Sequence, residues 1–463
     1  MLTPTSTRAR ATGVATGDGQ DPARSHSAWR SVGRSAIARA GILPISAVLG
    51  IIITRQVIDH FGDAAFAQYG LLLGIAGLLP FADLGTSAAV VNSVAASPDP
   101  AADAEVHRVL VGVLRIVLVM TAVFLVVAGV LTVTGAWGSL LGPGLGPHGS
   151  LAAGLCLTLI AVALPAGLGQ RALVGLGRNH VPIVLQSLQS PVMLAVILLL
   201  VGAGVAAGPY IAVIAYATTF VIAIVCFLLA ARVMSPAIGR AVRDVPRFRQ
   251  VRGARVFNLA WPMLIQMVAL PLAMQTDRII ISHVCTVRDL ATYNLASQMY
   301  SPVWQVAAAA GTAFWPVFAK ARARQEAPPM SPLAAGWLFA AGAAVLCAVI
   351  SLLSGRLSHL ASGGVITLGL GIIVSFSVLM VLQAAKYPPG MYMTDAPGLR
   401  YQAWMILLML PVNLGVSWWL ATVWGPVGPV IGSAGSVLLF QVVANFRYVR
   451  RHVLAAAAAA AAA

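Results

Sequence analysis

Charged residues are scarce in this sequence: only 9% of its 463 residues are Asp, Glu, Lys or Arg. A soluble domain carries about a quarter charged residues, so the shortfall excludes an ordinary cytosolic enzyme and a disordered protein. The sequence also lacks a Walker A loop, a histidine cluster with metal-ligand spacing and paired carboxylates in a sizeable outer loop. We therefore expect no ATP hydrolysis, no bound metal or other cofactor and no catalytic residues.

Cysteine is equally rare, with four residues in the whole chain. None of the four has the spacing of metal ligands, and three fall inside apolar runs. We predict that all four are packing residues. They are Cys156, Cys226, Cys285 and Cys347.

Apolar residues, in contrast, make up 59% of the chain, and the mean hydropathy is +0.89. They fall in many runs of 18 residues or more, each long enough to cross roughly 30 Å of hydrocarbon as a helix. The pattern predicts an all-α, polytopic membrane protein with about twelve transmembrane helices. The predicted spans are 36–58, 64–97, 106–135, 150–177, 180–204, 208–233, 256–284, 288–320, 332–354, 363–387, 398–420 and 427–449.

The positive charges lie on one side of the predicted spans. With the N-terminus inside, 24 of the 29 Lys and Arg residues fall in inner segments and three fall in outer ones. Cytoplasmic loops collect Lys and Arg, so we expect a multi-pass protein of the cell (cytoplasmic) membrane with both termini in the cytoplasm. The same asymmetry explains most of the net charge of +16 without a nucleic-acid partner.

The spans divide the chain into two halves of six. We predict a disordered cytoplasmic tail at 1–28, an N-half at 29–233, a basic cytoplasmic linker at 234–255, a C-half at 256–452 and an Ala-rich tail at 453–463. The Arg-rich linker is expected to lie on anionic lipid headgroups. A binding site for a regulatory partner is the alternative for this linker.

The two halves carry a short repeated pattern. Arg55 to His60 is followed by Tyr69, and Arg278 to His283 is followed by Tyr293. Halves with six spans each keep the same orientation and would be related by an axis along the membrane normal. A binding site is then expected between them.

Four ionisable residues are expected to converge at the inner part of the N-half: Arg39, Asp83, Arg115 and Arg171. Charges inside spans are costly and usually face a wet interior. More guanidinium than carboxylate suits an anionic headgroup, above all a diphosphate. The alternative is that long Arg side chains near helix ends reach the interface without a specific role. Asp83 is also a candidate for proton coupling.

A second charged set lies near the predicted outer end: Arg55, Asp59, Asp277 and Arg278. Arg55 precedes Asp59 by four residues, which permits a pair within one helix. These residues are predicted either to form structural pairs between and within the halves or to form an outer gate. Polar residues inside spans could line a hydrated cavity, although hydrogen bonds between helices explain each equally well. They are Gln186, Gln189, Gln266, Gln275, Gln298, Gln305, Asn258 and Asn413.

Several stretches resemble one family of membrane proteins in their order along the chain. They are Thr54 through Gly62, Asp83-Leu-Gly85, Gln170 through Arg178, Pro262 through Arg278 and Trp424 through Gly428. Over about residues 30–450 the chain resembles the polysaccharide, or lipid-linked oligosaccharide, flippases of the multidrug/oligosaccharidyl-lipid/polysaccharide (MOP) exporter superfamily.

The resemblance implies two six-helix lobes around a central cavity and alternating access. It implies that a polyprenyl-diphosphate-linked glycan moves from the inner to the outer leaflet for cell-surface polysaccharide biosynthesis. The energy would come from a coupling ion, H⁺ or Na⁺, or from the membrane potential. Expected partners are this glycan, anionic lipids and a glycan polymerase or glycosyltransferases. A multidrug/cation antiporter of the same superfamily and a non-transporting partner of glycan enzymes remain alternatives.

Overall fold

The computed structural model describes residues 22–79, 86–247, 261–323 and 330–452, and this part of the chain is helical without any strand. The helices are α1 (Pro22–Leu78), α2 (Thr86–Ala96), α3 (Ala104–Val133), α4 (Trp137–Leu141), α5 (Gly149–Gly175), α6 (His180–Ser187), α7 (Gln189–Gly202), α8 (Ile211–Val233), α9 (Ala237–Asp244), α10 (Trp261–Val284), α11 (Val287–Ala323), α12 (Pro332–Ser362), α13 (Leu370–Tyr392), α14 (Ala396–Trp424) and α15 (Val427–Val437). A 3₁₀ turn at Gly208–Tyr210 precedes α8, and a π-helical segment at Leu438–Val443 continues α15.

Parts of the predicted tails and linker lie outside the described residues. These are 1–21 of the N-terminal tail, 248–255 of the linker and all of 453–463. Helix α1 begins at Pro22, within the segment that the composition predicts to be a tail. The linker contains α9, which packs on α3.

Helix α1 consists of two limbs that meet at Gly62. The backbone there has φ 86° and ψ 169°, a conformation that side chains other than glycine rarely adopt. The bend separates the predicted first span from the start of the second, and α2 continues the second. We call the end of the bundle at which α1 bends the Gly62 end.

Nine helical stretches of the described chain are long and apolar enough to cross a membrane, with 23 to 31 residues each. The prediction of an all-α, polytopic fold is confirmed. The number twelve stays a prediction, because some of the remaining predicted spans border on or include residues outside the described part.

The helices of each half pack closely at small residues. An added Cβ on Gly169 of α5 would lie 2.2 Å from the Cα of Phe227 on α8. In the C-half, an added Cβ on Gly428 of α15 would lie 2.2 Å from the backbone carbonyl of Leu420 on α14. Glycine at these positions lets membrane helices approach until their backbones touch. This packing fixes each half as a bundle, and α1 lies where the bundles meet.

Candidate functional site: two cavities and the interface between the halves

The interface between the halves follows both limbs of α1. Arg278 on α10 donates from Nη1 to the carbonyl oxygen of Gly70 at 3.0 Å. Asn294 on α11 donates to the carbonyl oxygen of Ala67 at 3.1 Å. An added Cβ on Gly70 would meet the Asn294 carboxamide at 2.2 Å, so the absence of a side chain at Gly70 permits this close approach. The second limb is therefore held by polar side chains of the C-half.

On the first limb, one amide side chain of the C-half binds two residues of α1. Gln298 on α11 accepts from Thr54 Oγ1 at 2.8 Å and donates to the carbonyl oxygen of Gly50 at 3.2 Å. In the membrane interior such side chains gain a partner that hydrocarbon cannot supply. One helix of the C-half thus contacts both limbs of α1.

Arg55 lies on the first limb, close to the Gly62 end. It forms an ion pair with Asp59 one turn later, and its Nη1 donates to the carbonyl oxygen of His359 on α12 at 3.4 Å. Its guanidinium packs against Gly363, where an added Cβ would lie 2.9 Å from the Arg55 Cζ. Arg55 and Arg278 therefore each reach from one half to a carbonyl of the other.

The connection between α3 and α5 closes the same end. Ser282 near the end of α10 donates to the carbonyl oxygen of Leu141 at 2.5 Å and accepts from the backbone N–H of Gly144 at 3.0 Å. His283 Nε2 lies 3.1 Å from the carbonyl oxygen of Ser139. Both are contacts from the C-half to a loop of the N-half. The Gly62 end is closed by side chains that bind backbone groups across the interface.

Asp277 does not belong to this closed end, which corrects the grouping predicted from the sequence. Although it precedes Arg278 directly, it points into the C-half, where it is 1% exposed. Ser433 on α15 donates to its Oδ2 at 2.9 Å, and Asn413 on α14 donates to Ser433 at 3.1 Å. Successive residues of a helix point about 100° apart, so the Asp277 carboxylate and the Arg278 guanidinium contact different parts of the protein.

The N-half contains a cavity of about 400 Å³ between α1, α2, α3, α5 and α8. Apolar side chains form most of its wall. Arg171 and Gln170 on α5 lie at its edge, with Tyr216 and Thr219 of α8. No Asp or Glu occurs among the described residues that line it. The cavity therefore combines an apolar wall with a guanidinium and neutral polar groups.

Arg115 does not line this cavity, which corrects the predicted convergence. Its Nε and Nη2 donate to the carbonyl oxygens of Val245 and Asp244 at 2.9 and 3.0 Å. These carbonyls end α9, where backbone acceptors lack helical partners and the helix dipole favours a cation. Arg115 therefore holds the linker helix against α3. The sequence could not show this, because the contact joins residues 130 positions apart.

The linker has further polar contacts, with His107 on α3, with Ala101 in the loop before α3 and within the linker itself. The Asp244 carboxylate binds Nε2 of His107 at 3.0 Å and Arg247 at 2.9 Å, and Arg240 donates to the carbonyl oxygen of Ala101 at 2.8 Å. Two further members of the predicted set cannot be placed: Asp83 lies outside the described residues, and of Arg39 only the helical backbone is described. Of the two members whose side chains the structure describes, Arg171 lines the cavity and Arg115 does not.

A second polar cavity, in the C-half, was not predicted as a site. It has a volume of about 200 Å³ and lies between α11, α13, α14 and the π-helical segment. Lys386 lines it and is 8% exposed. Lys386, near the end of the span predicted at 363–387, is one of the 24 cations that the sequence assigns to inner segments. One signal could have distinguished Lys386 from the loop cations. It is a lone lysine inside an apolar span, in a chain whose basic residues are otherwise almost all arginine.

Sequence comparison gives a family match over most of the chain. The model of the family described as "Polysaccharide biosynthesis protein" matches residues 32–322. No curated protein matches the sequence.

Solved structures with a similar fold come from one superfamily of transporters. An inward-facing multidrug resistance MATE family transporter of the MOP superfamily has a TM-score of 0.62 at 17% identity, covering 91% of this chain and 99% of that chain. The lipid II flippase MurJ in an inward closed conformation has a TM-score of 0.63 at 12% identity, covering 89% and 87%. A MOP superfamily transporter from Pyrococcus furiosus, described as having a binding pocket of reverse polarity, has a TM-score of 0.53 at 14% identity, covering 93% and 96%. At these identities the matches establish the fold, with its two lobes.

Proposed function

Since the chain belongs to the polysaccharide biosynthesis protein family, we propose that it is a flippase for a polyprenyl-diphosphate-linked oligosaccharide. It carries this lipid from the inner to the outer leaflet of the cytoplasmic membrane by alternating access, for cell-surface polysaccharide biosynthesis. It acts as a transporter without catalysing a covalent reaction. Both termini face the cytoplasm, so the Gly62 end faces outward.

One observation carries the proposal: the described wall of the N-half cavity is apolar except for a guanidinium and neutral polar groups. A diphosphate that leaves water needs charge-assisted donors, and Arg supplies them in a fork that matches phosphate oxygens. A site for cationic drugs would instead need carboxylates along its wall. The described wall has none, and this favours an anionic cargo over the multidrug/cation antiporter.

The polar contacts at the Gly62 end support the alternating-access part of the proposal. They consist of single side chains bound to backbone carbonyls of the other half. Each such hydrogen bond contributes about 0.5–1.5 kcal/mol net, and those from charged groups about 1.5–3 kcal/mol. A handful of them holds one end closed, and a cargo that binds the open form several kcal/mol more tightly would shift the equilibrium toward that form.

We place the coupling ion, H⁺ or Na⁺, at Asp277 in the C-half. Its carboxylate is buried beside Ser433, and Oδ1 of Asn413 is buried without a hydrogen-bond partner in the described part of the chain. A buried carboxylate within a span usually marks an ion or proton pathway. The site contains one carboxylate and otherwise neutral oxygen atoms. Its net charge therefore becomes zero when a monovalent cation or a proton binds.

We also propose that the surface of the linker helix contacts anionic lipids. Arg240 and Arg243 are exposed on α9, at the side predicted to face the cytoplasm, where they suit anionic lipid headgroups. Among the expected partners, glycosyltransferases would act before the transport step and a glycan polymerase after it.

A deletion strain tests the proposed function. Loss of the flippase should cause the lipid-linked oligosaccharide to accumulate in the inner leaflet and should leave drug susceptibility unchanged. Wild-type protein should reverse the accumulation, and so should a control with Arg178→Ala, an exposed arginine just after α5. Increased drug susceptibility without glycan accumulation would favour the antiporter instead.

A further inference from the structure

Lys386 is a buried cation that the proposed transport through the N-half does not use. It lies on α13, six residues before the helix ends at Tyr392, or roughly 9 Å at 1.5 Å per residue. Its ammonium donates to Oε1 of Gln441 and lies 5.5 Å from the ring centroid of Trp304. The amide oxygen and the aromatic face are both partners of a charged ammonium.

The cavity around Lys386 offers donors and aromatic faces without a counter-charge. Besides Gln441, the polar lining residues include Gln402 and Asn445, and Trp304 and Tyr387 contribute aromatic rings. No Asp or Glu is among the described residues that form this wall. Burying an ammonium costs several kcal/mol unless opposite charge compensates it. An apolar side chain of similar length would therefore be the less costly solution if the position served packing alone.

The backbone next to the cavity is irregular at the place where it supplies lining residues. The π-helical segment Leu438–Val443 contains Phe440 and Gln441, both of which line the cavity. Single π-helical turns inside α-helices cost stability and occur often at functional sites. On the opposite side, α13 carries Pro388 and Pro389 directly after Tyr387, and prolines there remove backbone donors from the helix. At this cavity one element thus departs from regular α-helix, and its neighbour α13 lacks two backbone donors.

The described partners of the Lys386 ammonium are Gln441 and Trp304. An ammonium has three donors, and the hydrogen bond to Gln441 uses one of them. The other two donors can bind a ligand with negatively charged oxygens, since the described wall supplies no carboxylate.

We propose that this C-half cavity binds an anionic oxygen group of the lipid-linked glycan, a phosphate or a sugar carboxylate, through Lys386. The amide of Asn445 contributes a neutral donor, Gln441 holds the ammonium through its Oε1, and Trp304 packs against the ligand. This inference rests on the proposed function. By the predicted topology α5 and α13 run in the same direction, so Arg171 and Lys386 lie at similar depths from the end opposite to Gly62. Each half then contributes one cation to the same cargo.

A fluorescence titration of the full chain in phosphatidylcholine nanodiscs tests the site. The probes are inorganic diphosphate and glucuronate, added separately. The part of the signal that is lost in Trp304→Phe reports on the ring beside Lys386. We expect Lys386→Met to weaken probe binding roughly ten-fold or more, as expected for a lost charge-assisted contact. Lys386→Arg should retain most of the affinity.

The matched control is Arg400→Met, which removes an exposed cation on α14, near the same end of the same half. It should leave binding unchanged. A melting curve for each variant shows that it is folded, so a lost signal reports on binding.

The probes distinguish the source of the anionic group. A response to diphosphate alone assigns the site to the lipid headgroup, and a response to glucuronate alone assigns it to an acidic sugar. Binding by folded Lys386→Met at wild-type affinity, or no Trp304-dependent response to either probe, would overturn the inference. Flipping assays on the same samples separate the two proposals: wild-type flipping without Lys386-dependent binding removes the C-half site only, and binding without flipping removes the proposed function.

Discussion

Arg278 of the C-half binds the backbone carbonyl oxygen of Gly70 in the N-half, with 3.0 Å between Nη1 and the oxygen. A second nitrogen, Nη2, lies 3.3 Å from the hydroxyl of Ser297 on α11. One side chain therefore joins α10, α11 and α1. The acceptor is a backbone carbonyl, which moves only with α1 itself. Separating the halves must therefore break this hydrogen bond.

Replacing Arg278 should open the Gly62 end. Arg278→Ala removes a charge-assisted hydrogen bond worth about 1.5–3 kcal/mol, which shifts the closed-to-open ratio by roughly ten-fold or more. Spin labels at Ala64 and Leu370, both exposed near this end, should report a larger population of long distances. Arg288→Ala is the control, because Arg288 donates to Val365 within the C-half. An unchanged distance distribution in Arg278→Ala would exclude a latch at this position.

Replacing Arg115 should loosen the linker helix and have little effect on cargo binding. Arg115→Ala leaves the two carbonyls at the end of α9 without their guanidinium, at a cost of about 1–3 kcal/mol. We expect a lower melting temperature and faster proteolysis between α8 and α10. Arg108→Ala, which breaks an exposed pair with Glu105, should change the melting temperature little. Wild-type stability together with lost transport in Arg115→Ala would return Arg115 to the cargo site.

Close helix packing gives a prediction for α15. Gly428→Ala places a methyl group 2.2 Å from backbone atoms of Leu420, which cannot move aside, and overpacking of this kind costs about 1–3 kcal/mol. The melting temperature should fall by several degrees. Gly435→Ala, on the same helix with nothing within 4 Å, should be neutral or slightly stabilising because alanine favours helix. Equal melting temperatures for the two variants would contradict the packing of α14 on α15.

Neutralising Asp277 should uncouple transport from its ion. Asp277→Asn keeps the size of the side chain and a hydrogen bond to Ser433, but it can no longer gain or lose a proton or balance a cation. Flipping by the variant should lose its dependence on imposed H⁺ or Na⁺ gradients, measured in liposomes with each gradient in turn. Asp99→Asn, in the exposed loop before α3, is the matched control. A gradient response of Asp277→Asn equal to that of wild type would exclude this coupling site.

The sequence predicted the helices well because each must hide its backbone from hydrocarbon, and this leaves long apolar runs. The bend at Gly62 falls between the predicted spans 36–58 and 64–97. The contacts between helices, in contrast, could not be predicted from the sequence. Asp277 and Arg278 are neighbours in sequence, and only the packing of α14 and α15 on one side and of α1 on the other shows that they serve separate clusters.

The candidate site was predicted in part. Arg171 is among the residues that line the N-half cavity, and its role in cargo binding stays a prediction. The contact of Arg115 depends on where the linker folds back. Lys386 was overlooked because a cation near the end of a span usually extends to the interface. Its burial depends on Gln441, which lies 55 positions later in the chain.

The central claim is that Arg171 helps a diphosphate cross the membrane, and purified protein in liposomes tests it most directly. Full-length protein is reconstituted with a fluorescent polyprenyl-diphosphate oligosaccharide, and an impermeant quencher then reports the fraction that reaches the outer leaflet. The account predicts flipping by wild type and by Arg178→Ala, and at least about ten-fold slower flipping by folded Arg171→Ala. Wild-type rates in Arg171→Ala, or no flipping by any folded sample, would contradict it.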